Sequence, residues 1–199
     1  PLGTPQSRGK PMVNLLPIIE GETIQTLLPV ENLEKVSKEI VAVFATAKGL
    51  IRPIALDNFD RILSTGIIAI KLNNNDKLIG VNLATSDDDV LLAASSGKCI
   101  RFSVSGVRVF GGRNTTGVKG MALRKQDYLV SMSILKHVDT TSELRSEYLQ
   151  AVSASRRLSN SNSAGNTNER DINLSKSLNS EPFISLANKE EFILSITEN

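Results

Sequence analysis

The pattern Ser64-Thr-Gly-Ile-Ile-Ala-Ile-Lys-Leu72 occurs a second time in the chain, as Thr115-Thr-Gly-Val-Lys-Gly-Met-Ala-Leu123. Superposing the two stretches places glycine on glycine and, six residues later, leucine on leucine, at a spacing of 51 residues. The register continues beyond the stretches, since Asp76 then lies over Asp127. A repeat of roughly 40–50 residues built from short strands is typical of propeller blades.

Short apolar runs around the repeat predict β-strands, because they have strand length and end at turn-forming residues. These runs are Val41–Ala45, Gly66–Leu72, Leu78–Leu83, Val90–Ala94 and Cys99–Phe102. Two turns, Lys48-Gly49 and Ser96-Gly97, recur at a spacing of 48 residues. Arg8–Leu15 fits the same frame 57 residues before the unit of Gly66. We therefore expect residues 1–135 to form about three blades of an all-β propeller or pinwheel.

The composition changes where this strand pattern stops. Thr140-Thr-Ser-Glu143 matches a helix capping box, and apolar residues on one helical face follow it, so residues 141–157 are predicted to form a helix. Residues 159–180 are rich in Ser and Asn and are predicted to be disordered. We interpret 136–190 as an insertion in the last blade and 191–199 as a strand that returns to that blade.

Positive charge is concentrated in one part of a nearly neutral chain. The chain has 23 Lys and Arg against 21 Asp and Glu, yet Ala93–Lys125 contains seven basic residues and no acidic one. Closely spaced cations neutralise phosphates and release counterions, which favours sequence-independent DNA binding over the alternative of an ordinary solvated surface. The candidate DNA-binding residues are Arg8, Lys10, Arg61, Lys98, Arg101, Arg108, Arg113, Lys119, Arg124 and Lys125.

Composition also excludes several classes of site. With one Cys and one His, the chain can form neither a disulfide framework nor a Cys/His zinc site. No apolar run approaches the roughly 20 residues of a membrane span, and the start has no signal-peptide pattern. We therefore expect no membrane partner and a cytoplasmic location. The chain starts without Met, which indicates a fragment of a longer protein.

Several smaller motifs carry little functional weight. Gly112–Lys119 is close to a P-loop, but its Lys is one position late and no Ser or Thr follows. Asp87–Asp89 lacks the ligand spacing of a calcium loop and is expected to be a solvated turn. Tyr128 is expected to pack within a strand, and Cys99 to be a small core residue. We therefore predict no catalytic residue, no metal ligand and no cofactor within this chain.

The repeat units resemble the C-terminal domain of the A subunit of bacterial DNA gyrase. The resemblance is carried by Arg8–Pro17, Phe59–Leu72, Leu78–Val81 and Gly112–Gly120. It covers about residues 1–135 and 191–199, whereas 136–190 carries no motif of the family. Gln6–Lys10 is at most a degenerate form of the family's Gln-Arg-Arg-Gly-Gly-x-Gly box, which belongs to the first blade.

The resemblance implies a β-pinwheel that wraps duplex DNA around a basic rim. The parent would be a type IIA topoisomerase, an A2B2 complex with the gyrase B subunit, which introduces negative supercoils. That complex would need ATP and Mg²⁺, and both would act outside this stretch, as would the contacts with the B subunit. Two alternatives stay open: the related C-terminal domain of the C subunit of topoisomerase IV, which relaxes or decatenates DNA, and a propeller that docks proteins.

Overall fold

A computed structural model describes the chain in two compact units, Pro1–His137 and Val138–Asn199. We call them the β unit and the helical unit and describe each by itself. The described residues are 4–14, 16, 18, 21–30, 39–60, 63, 66–112, 114–160 and 169–196. The division falls close to the point where the strand pattern of the sequence stops.

Within its described residues the β unit has seven strands, and every strand pair in its two sheets is antiparallel. They are β1 (Val41–Thr46), β2 (Leu50–Ala55), β3 (Leu78–Ala84), β4 (Asp88–Ala94), β5 (Cys99–Ser103), β6 (Val118–Lys119) and β7 (Leu129–Lys136). One sheet has the order β3-β1-β2-β6 and the other the order β5-β4-β7. The strands predicted at 41–45, 78–83, 90–94 and 99–102 are confirmed.

The two sheets are copies of one blade. In each, a hairpin (β1–β2 or β4–β5) receives on its first strand a later strand, β3 or β7. Both first strands have a register shift at the same place, between Ala45 and Thr46 and between Ala93 and Ala94. A 3-10 turn follows the second strand of each hairpin, Leu56–Phe59 after β2 and Val104–Gly106 after β5. The repeat predicted from the sequence is therefore confirmed for two blades.

Asp76 and Asp127, at equivalent positions of the two blades, each accept hydrogen bonds from the hairpin tip of their own blade. The Asp76 carboxylate accepts hydrogen bonds from the backbone N–H of Lys48 in the first tip (3.0 Å) and of Lys77 (2.9 Å). The Asp127 carboxylate accepts the same pair of bonds, from Ser96 N in the second tip (3.2 Å) and Tyr128 N (3.0 Å). The sequence alignment of Asp76 with Asp127 thus has a structural cause.

The core lies on both faces of β1, whose six residues are all buried. Side chains alternate across a strand, so Val43 and Ala45 face a cluster shared with Leu92 and Leu129 of the second blade. Phe44 faces the opposite cluster of the first blade. The blades are therefore joined by a common apolar core.

Two parts of the strand prediction are wrong. Residues 66–72 have no strand conformation, although their repeat counterpart contains β6, which pairs with β2. A strand requires a partner ladder, and none of the described strands runs beside 66–72. Within 4–14 the structure has a 3-10 turn, Met12–Asn14, and no strand. Pro11 cannot donate to a ladder, which disfavours strand pairing there.

The helical unit contains α1 (Ser142–Asn160), α2 (Glu169–Lys176) and α3 (Glu181–Ala187). The helix predicted at 141–157 is present, capped by Thr141 Oγ1, which accepts from Leu144 N (3.2 Å). Its core pairs the ring of Tyr148 with that of Phe183 edge to face, 5.5 Å between centroids. Within the described part of the chain, no helix is long and apolar enough to cross a membrane.

The structure contradicts the predicted disorder at 159–180, because α2 lies within that range. Ile172 and Leu174 of α2 are half-buried, and Asp171 forms a two-pronged ion pair with Arg157 of α1 at 2.8 and 3.1 Å. Residues 161–168 lie outside the described residues. The predicted returning strand is also absent from 191–196, since none of the described strands pairs with these exposed residues.

Candidate nucleic-acid interface

Backbone hydrogen bonds gather the turns of both blades along one edge of the β unit. The carbonyl of Ala47, in the first hairpin tip, accepts from Leu129 N of the second blade (2.9 Å). The carbonyl of Gly49 in the same tip accepts from Gly120 N (2.8 Å). The second tip is joined to the turn before β7 through Asp127. Both tips, the end of β6 and the turn before β7 therefore lie side by side.

Five exposed basic residues lie on these turns, and we call them the basic edge. They are Lys48, Lys98, Lys119, Arg124 and Lys125. Two aspartates lie beside these cations, Asp127 in the turn before β7 and Asp76 in the turn before β3, and both carboxylates accept hydrogen bonds within the fold. Among the residues that the structure describes, none of these cations forms an ion pair, and the Lys48 ammonium donates to Asn74 O (2.6 Å).

The second blade carries more of this charge than the first. The turn Arg124-Lys125-Gln126 is the repeat counterpart of Asn73-Asn74-Asn75. The backbone conformation is shared, since Gln126 has φ 74° and Asn75 has φ 60°. The same turn therefore presents two cations in one blade and neutral amides in the other.

Arg101 has a different setting from the basic edge, although the sequence predicts a DNA contact for it. Its Nε donates to Asp89 Oδ2 at 2.7 Å, and its Nη2 donates to Lys136 O at 3.0 Å. Asp89 also bonds His137 Nδ1 (2.8 Å), while neighbouring Asp88 accepts from Lys136 Nζ (2.7 Å). These pairs tie β4 to β5 and to the end of β7, so the positive charge of Arg101 is already compensated.

Hydrogen bonding controls the ionisation of both buried carboxylates. Burial acts to raise the pKa of Asp89, but hydrogen bonds from His137 and Arg101 and the charge of Arg101 outweigh it, so the pKa is lowered. Burial likewise acts to raise the pKa of Asp88, and bonds from Lys136 and Thr85 lower it overall. Both aspartates therefore stabilise the fold in the ionised form.

We expect the β unit to lose stability in acid below about pH 4. A carboxyl whose pKa is lower in the folded than in the unfolded chain contributes stability above its unfolded pKa, and this is lost as the pH falls through the folded pKa. Replacing both Asp88 and Asp89 by Asn should lower the free energy of unfolding at neutral pH by about 2 kcal/mol. It should also flatten the decline of the melting temperature between pH 5 and pH 2, which thermal denaturation would measure.

The exposed Asp87→Asn variant serves as the control for this acid series. It should follow the wild-type curve, because Asp87 is exposed and lies outside the ion pairs. A double variant that kept the wild-type acid profile would contradict the assignment.

A buried arginine fixes the loop that precedes β6. Arg52 lies in the middle of β2 and is fully buried, and its guanidinium is 5.5 Å from the centroid of the Phe110 ring. Its Nη1 donates to the Ala69 carbonyl (2.8 Å), and its Nη2 donates to the Gly112 carbonyl. Burial lowers the pKa of Arg52, but arginine stays protonated at neutral pH. One side chain therefore holds three separate segments of the β unit together.

Gly117 brings that loop onto β2 at close range. Its φ is 92°, and a Cβ at this position would lie 2.5 Å from the Ile51 carbonyl oxygen and 3.0 Å from Arg52 Cβ. Such a conformation and approach are open only to glycine. The residue after the glycine starts β6, which places Lys119 opposite Leu50 and on the basic edge.

Comparison with known proteins decides the family. The family model described as DNA gyrase C-terminal domain, beta-propeller, matches residues 42–85 and 88–136. The whole chain aligns with the A subunit of DNA gyrase from Rickettsia conorii at 40% identity over 199 residues. The chain belongs to the family of DNA gyrase C-terminal domains. It spans 22% of the length of that gyrase relative.

Other relatives of this gyrase-family chain agree. The A subunit of DNA gyrase from Escherichia coli K12 is 44% identical over 135 residues, which are 67% of this chain and 15% of the relative. The R. conorii alignment covers 100% of the chain. The helical unit therefore has a counterpart in a gyrase relative, contrary to the expectation that 136–190 lies outside the family resemblance.

Solved structures share the fold of this gyrase-family chain. The C-terminal domain of a DNA topoisomerase IV superposes with a TM-score of 0.58 and 26% identity, covering 65% of this chain and 39% of that one. A DNA gyrase A C-terminal domain superposes with a TM-score of 0.56 and 25% identity, covering 65% and 42%. The predicted all-β pinwheel class is confirmed.

The predicted DNA-binding residues fall into separate places in this gyrase-family fold. Lys98, Lys119, Arg124 and Lys125 are brought together on the basic edge. Arg108 is exposed with its guanidinium 5.9 Å from the Phe110 ring centroid, and Arg8 and Lys10 are exposed in the irregular segment 4–14. Arg61 and Arg113 lie outside the described residues.

Sequence reasoning missed three residues of this region, Lys48, Lys71 and Arg52. The 48-residue spacing of the hairpin glycines could have identified Lys48, because it places Lys48 at a hairpin tip. Lys71 is exposed, and its backbone N–H donates to Thr115 O (3.2 Å), beside the loop that Arg52 holds. Nothing in the sequence marks Arg52 as buried, since arginine is seldom fully buried.

Three of the smaller expectations are wrong, and each has a structural reason. Cys99 is exposed, because it opens the edge strand β5. Asp88 and Asp89 of the expected solvated turn are buried, because they open β4, the central strand of its sheet. Tyr128 lies just before β7 and is 53% exposed, so it does not pack within a strand. Among the described residues, no cluster of His, Cys, Asp and Glu could hold a metal ion.

Proposed function

We propose that the β unit binds duplex DNA through the basic edge and helps to wrap it. The observation that supports this most directly is the alignment of five exposed cations along the turns of two successive blades. Contacts to phosphates need charge and spacing but no base recognition, so the binding is expected to be independent of sequence. A curved row of such contacts also offsets the cost of bending DNA, roughly 1–6 kcal/mol for a bend of 40–90°.

We further propose that this activity serves a DNA gyrase, since the relatives named above are gyrase A subunits. In that setting the chain works in the cytoplasm, in an A2B2 complex with the gyrase B subunit, which uses ATP and Mg²⁺ to introduce negative supercoils. The chain's own contribution is to hold and curve the duplex. Strand cleavage and ATP hydrolysis belong to other parts of the complex, so the chain supplies no catalytic residue.

The alternatives are less well supported. A topoisomerase IV C-terminal domain shares the fold at a similar TM-score, but the sequence relatives reported above are gyrase A subunits. A protein-docking propeller would not require a row of exposed cations along the turns of two successive blades. It would bind no DNA even at low salt.

A salt titration tests the DNA-binding proposal. For each phosphate contact that is removed, the slope of log K against log salt should become less steep by about 0.9. We expect replacement of Lys98, Lys119, Arg124 and Lys125 by Gln to reduce the slope by about 3 to 4 in total. Binding to duplexes of unrelated sequence should weaken equally, and the melting temperature should stay near that of wild type.

The helical unit provides a control with the same change in net charge. Its exposed residues Arg145, Arg156, Lys176 and Lys189, replaced together by Gln, should leave the slope unchanged. An equal reduction of slope in both variants would show a general charge effect and contradict the assignment to the basic edge. A wild-type chain that bound no duplex at low salt would overturn the proposed function.

A further inference from the structure

The segment before Lys71 exposes large apolar side chains on the proposed DNA-binding unit. Ile68 is 71% exposed and Leu63 is 63% exposed. Together with Gly66, Ile67 and Asn114 they line an open cavity of about 450 Å³. Exposed apolar side chains gathered at one place mark contact sites more often than isolated ones do.

The repeat places Ile68 at a position of the blade that elsewhere carries a proposed DNA contact. Ile68 is 51 residues before Lys119 of the basic edge, and Gly66 and Gly117, two residues earlier in each unit, both have positive φ. The two units differ in chemistry at this point. One unit offers a cation, which suits a phosphate, and the other a branched apolar group, which does not.

The backbone of the segment that carries Ile68 is hydrogen-bonded to the rest of the β unit. Ala69 O, next in the chain, accepts from the buried Arg52 (2.8 Å), and Lys71 N donates to Thr115 O (3.2 Å). The backbone is therefore fixed on the protein side while the side chain of Ile68 projects into solvent. This support suits a side chain that must push against a ligand.

The two stretches of sequence that line the cavity carry no acidic residue, which suits a polyanion. Neither Arg61–Asn75 nor Ala93–Lys125 contains Asp or Glu, and these two stretches supply all the residues that line the cavity. The apolar side chain of Ile68 cannot itself bind a phosphate. The part of duplex DNA that accepts it is the base stack.

We propose that Ile68, flanked by Leu63, inserts as an apolar wedge at a base step of the bound duplex, from the minor groove, and kinks it. The proposal rests on the DNA binding proposed above and adds a bending residue to it. Proteins that bend DNA commonly insert Ile, Leu, Phe or Met between base steps, and they recover the cost of unstacking through additional backbone contacts. Pyrimidine–purine steps such as TA unstack most easily.

Bend angle and affinity should be measured on two duplexes of about 20 base pairs, which are roughly 70 Å long and well below the persistence length of roughly 150 base pairs. One duplex carries a central TA step and the other a central A-tract, and each has a donor and an acceptor dye at its ends. The complete chain is used as wild type, Ile68→Ala, Ile68→Phe and Leu27→Ala. Leu27 is the matched control, because it is 67% exposed in another segment.

With wild type, we expect stronger energy transfer on the TA duplex than on the A-tract duplex. Ile68→Ala should remove this difference and weaken binding to the TA duplex about tenfold, with the salt slope unchanged because all phosphate contacts are kept. Ile68→Phe, which keeps a wedge, should retain the bend, and Leu27→Ala should behave as wild type.

The wedge is overturned if Ile68→Ala bends both duplexes as wild type does. It is also overturned if that variant lowers the melting temperature while the bend of the bound fraction is kept, since Ile68 would then pack within the protein. Either result leaves the salt-dependent binding of the basic edge intact. Absence of duplex binding by wild type would instead overturn the proposed function together with the wedge.

Discussion

Replacing Arg52 by Ala is expected to lower the free energy of unfolding by about 3–5 kcal/mol. The change removes a fully buried side chain and leaves the carbonyls of Ala69 and Gly112 without the charged donor that now satisfies them. Hydrogen bonds to charged groups contribute about 1.5–3 kcal/mol each, and the cavity adds to the loss. Thermal or urea denaturation of the complete chain would measure the change.

The Arg108→Ala variant is a matched control for Arg52→Ala, because both arginines lie over the ring of Phe110. Arg108 lies 5.9 Å from the centroid but is exposed, so Arg108→Ala should change the free energy of unfolding by about 0.5 kcal/mol or less. Arg52→Lys should fall between the two, since a single ammonium cannot span both carbonyls as the guanidinium fork does. Equal losses for Arg52→Ala and Arg108→Ala would show that burial of the guanidinium is not the deciding factor.

The blade repeat could be predicted from the sequence because it is local and periodic. Strands such as β1 and β4 are short apolar runs closed by turn residues, and the aspartates at 76 and 127 repeat a bonding role that each blade needs. The unpaired conformation of 66–72 could not be predicted in this way. Its apolar pattern is that of a strand, but strand formation depends on a neighbouring ladder, which composition does not reveal.

In the helical unit the error is the reverse, because a segment predicted to be disordered contains a helix. Glu169–Lys176 reads as polar low-complexity sequence, with only Ile172 and Leu174 available for packing. These two side chains are nevertheless half-buried, and the ion pair between Arg157 and Asp171 ties the helix to α1. The partner of Asp171 lies outside the segment, so propensity within the segment could not indicate it.

For the candidate site, the sequence located the charge but not its partners. Arg101 and Lys119 look alike in an acid-free stretch, yet Arg101 faces Asp89 across the β4–β5 pair and Lys119 lies on an exposed edge. The difference arises from register, because Asp89 lies opposite Ser103 in the ladder, two residues from Arg101. A count of charges along the chain contains no register, so the basic edge could be defined only in the folded structure.

Gly117→Ala is expected to destabilise the β unit by about 2–5 kcal/mol and to weaken DNA binding. A left-handed backbone conformation costs a residue with a Cβ about 1–2 kcal/mol, and forcing atoms into a filled space costs about 1–3 kcal/mol more. Both apply here, because φ is 92° and the new Cβ would lie 2.5 Å from the Ile51 carbonyl oxygen. Relief of that overlap must move the loop away from β2, and Lys119 would move with it.

The repeat itself provides the control that separates the two costs. Gly66 is the counterpart of Gly117, with φ 75°, but a Cβ there would meet no atom within 4 Å. Gly66→Ala should therefore carry only the conformational cost, about 1–2 kcal/mol. The melting temperatures of both variants and their duplex affinities in a salt series should be compared. If Gly117→Ala proved no more destabilising than Gly66→Ala, the close approach of the loop to β2 would not be what fixes Lys119 on the basic edge.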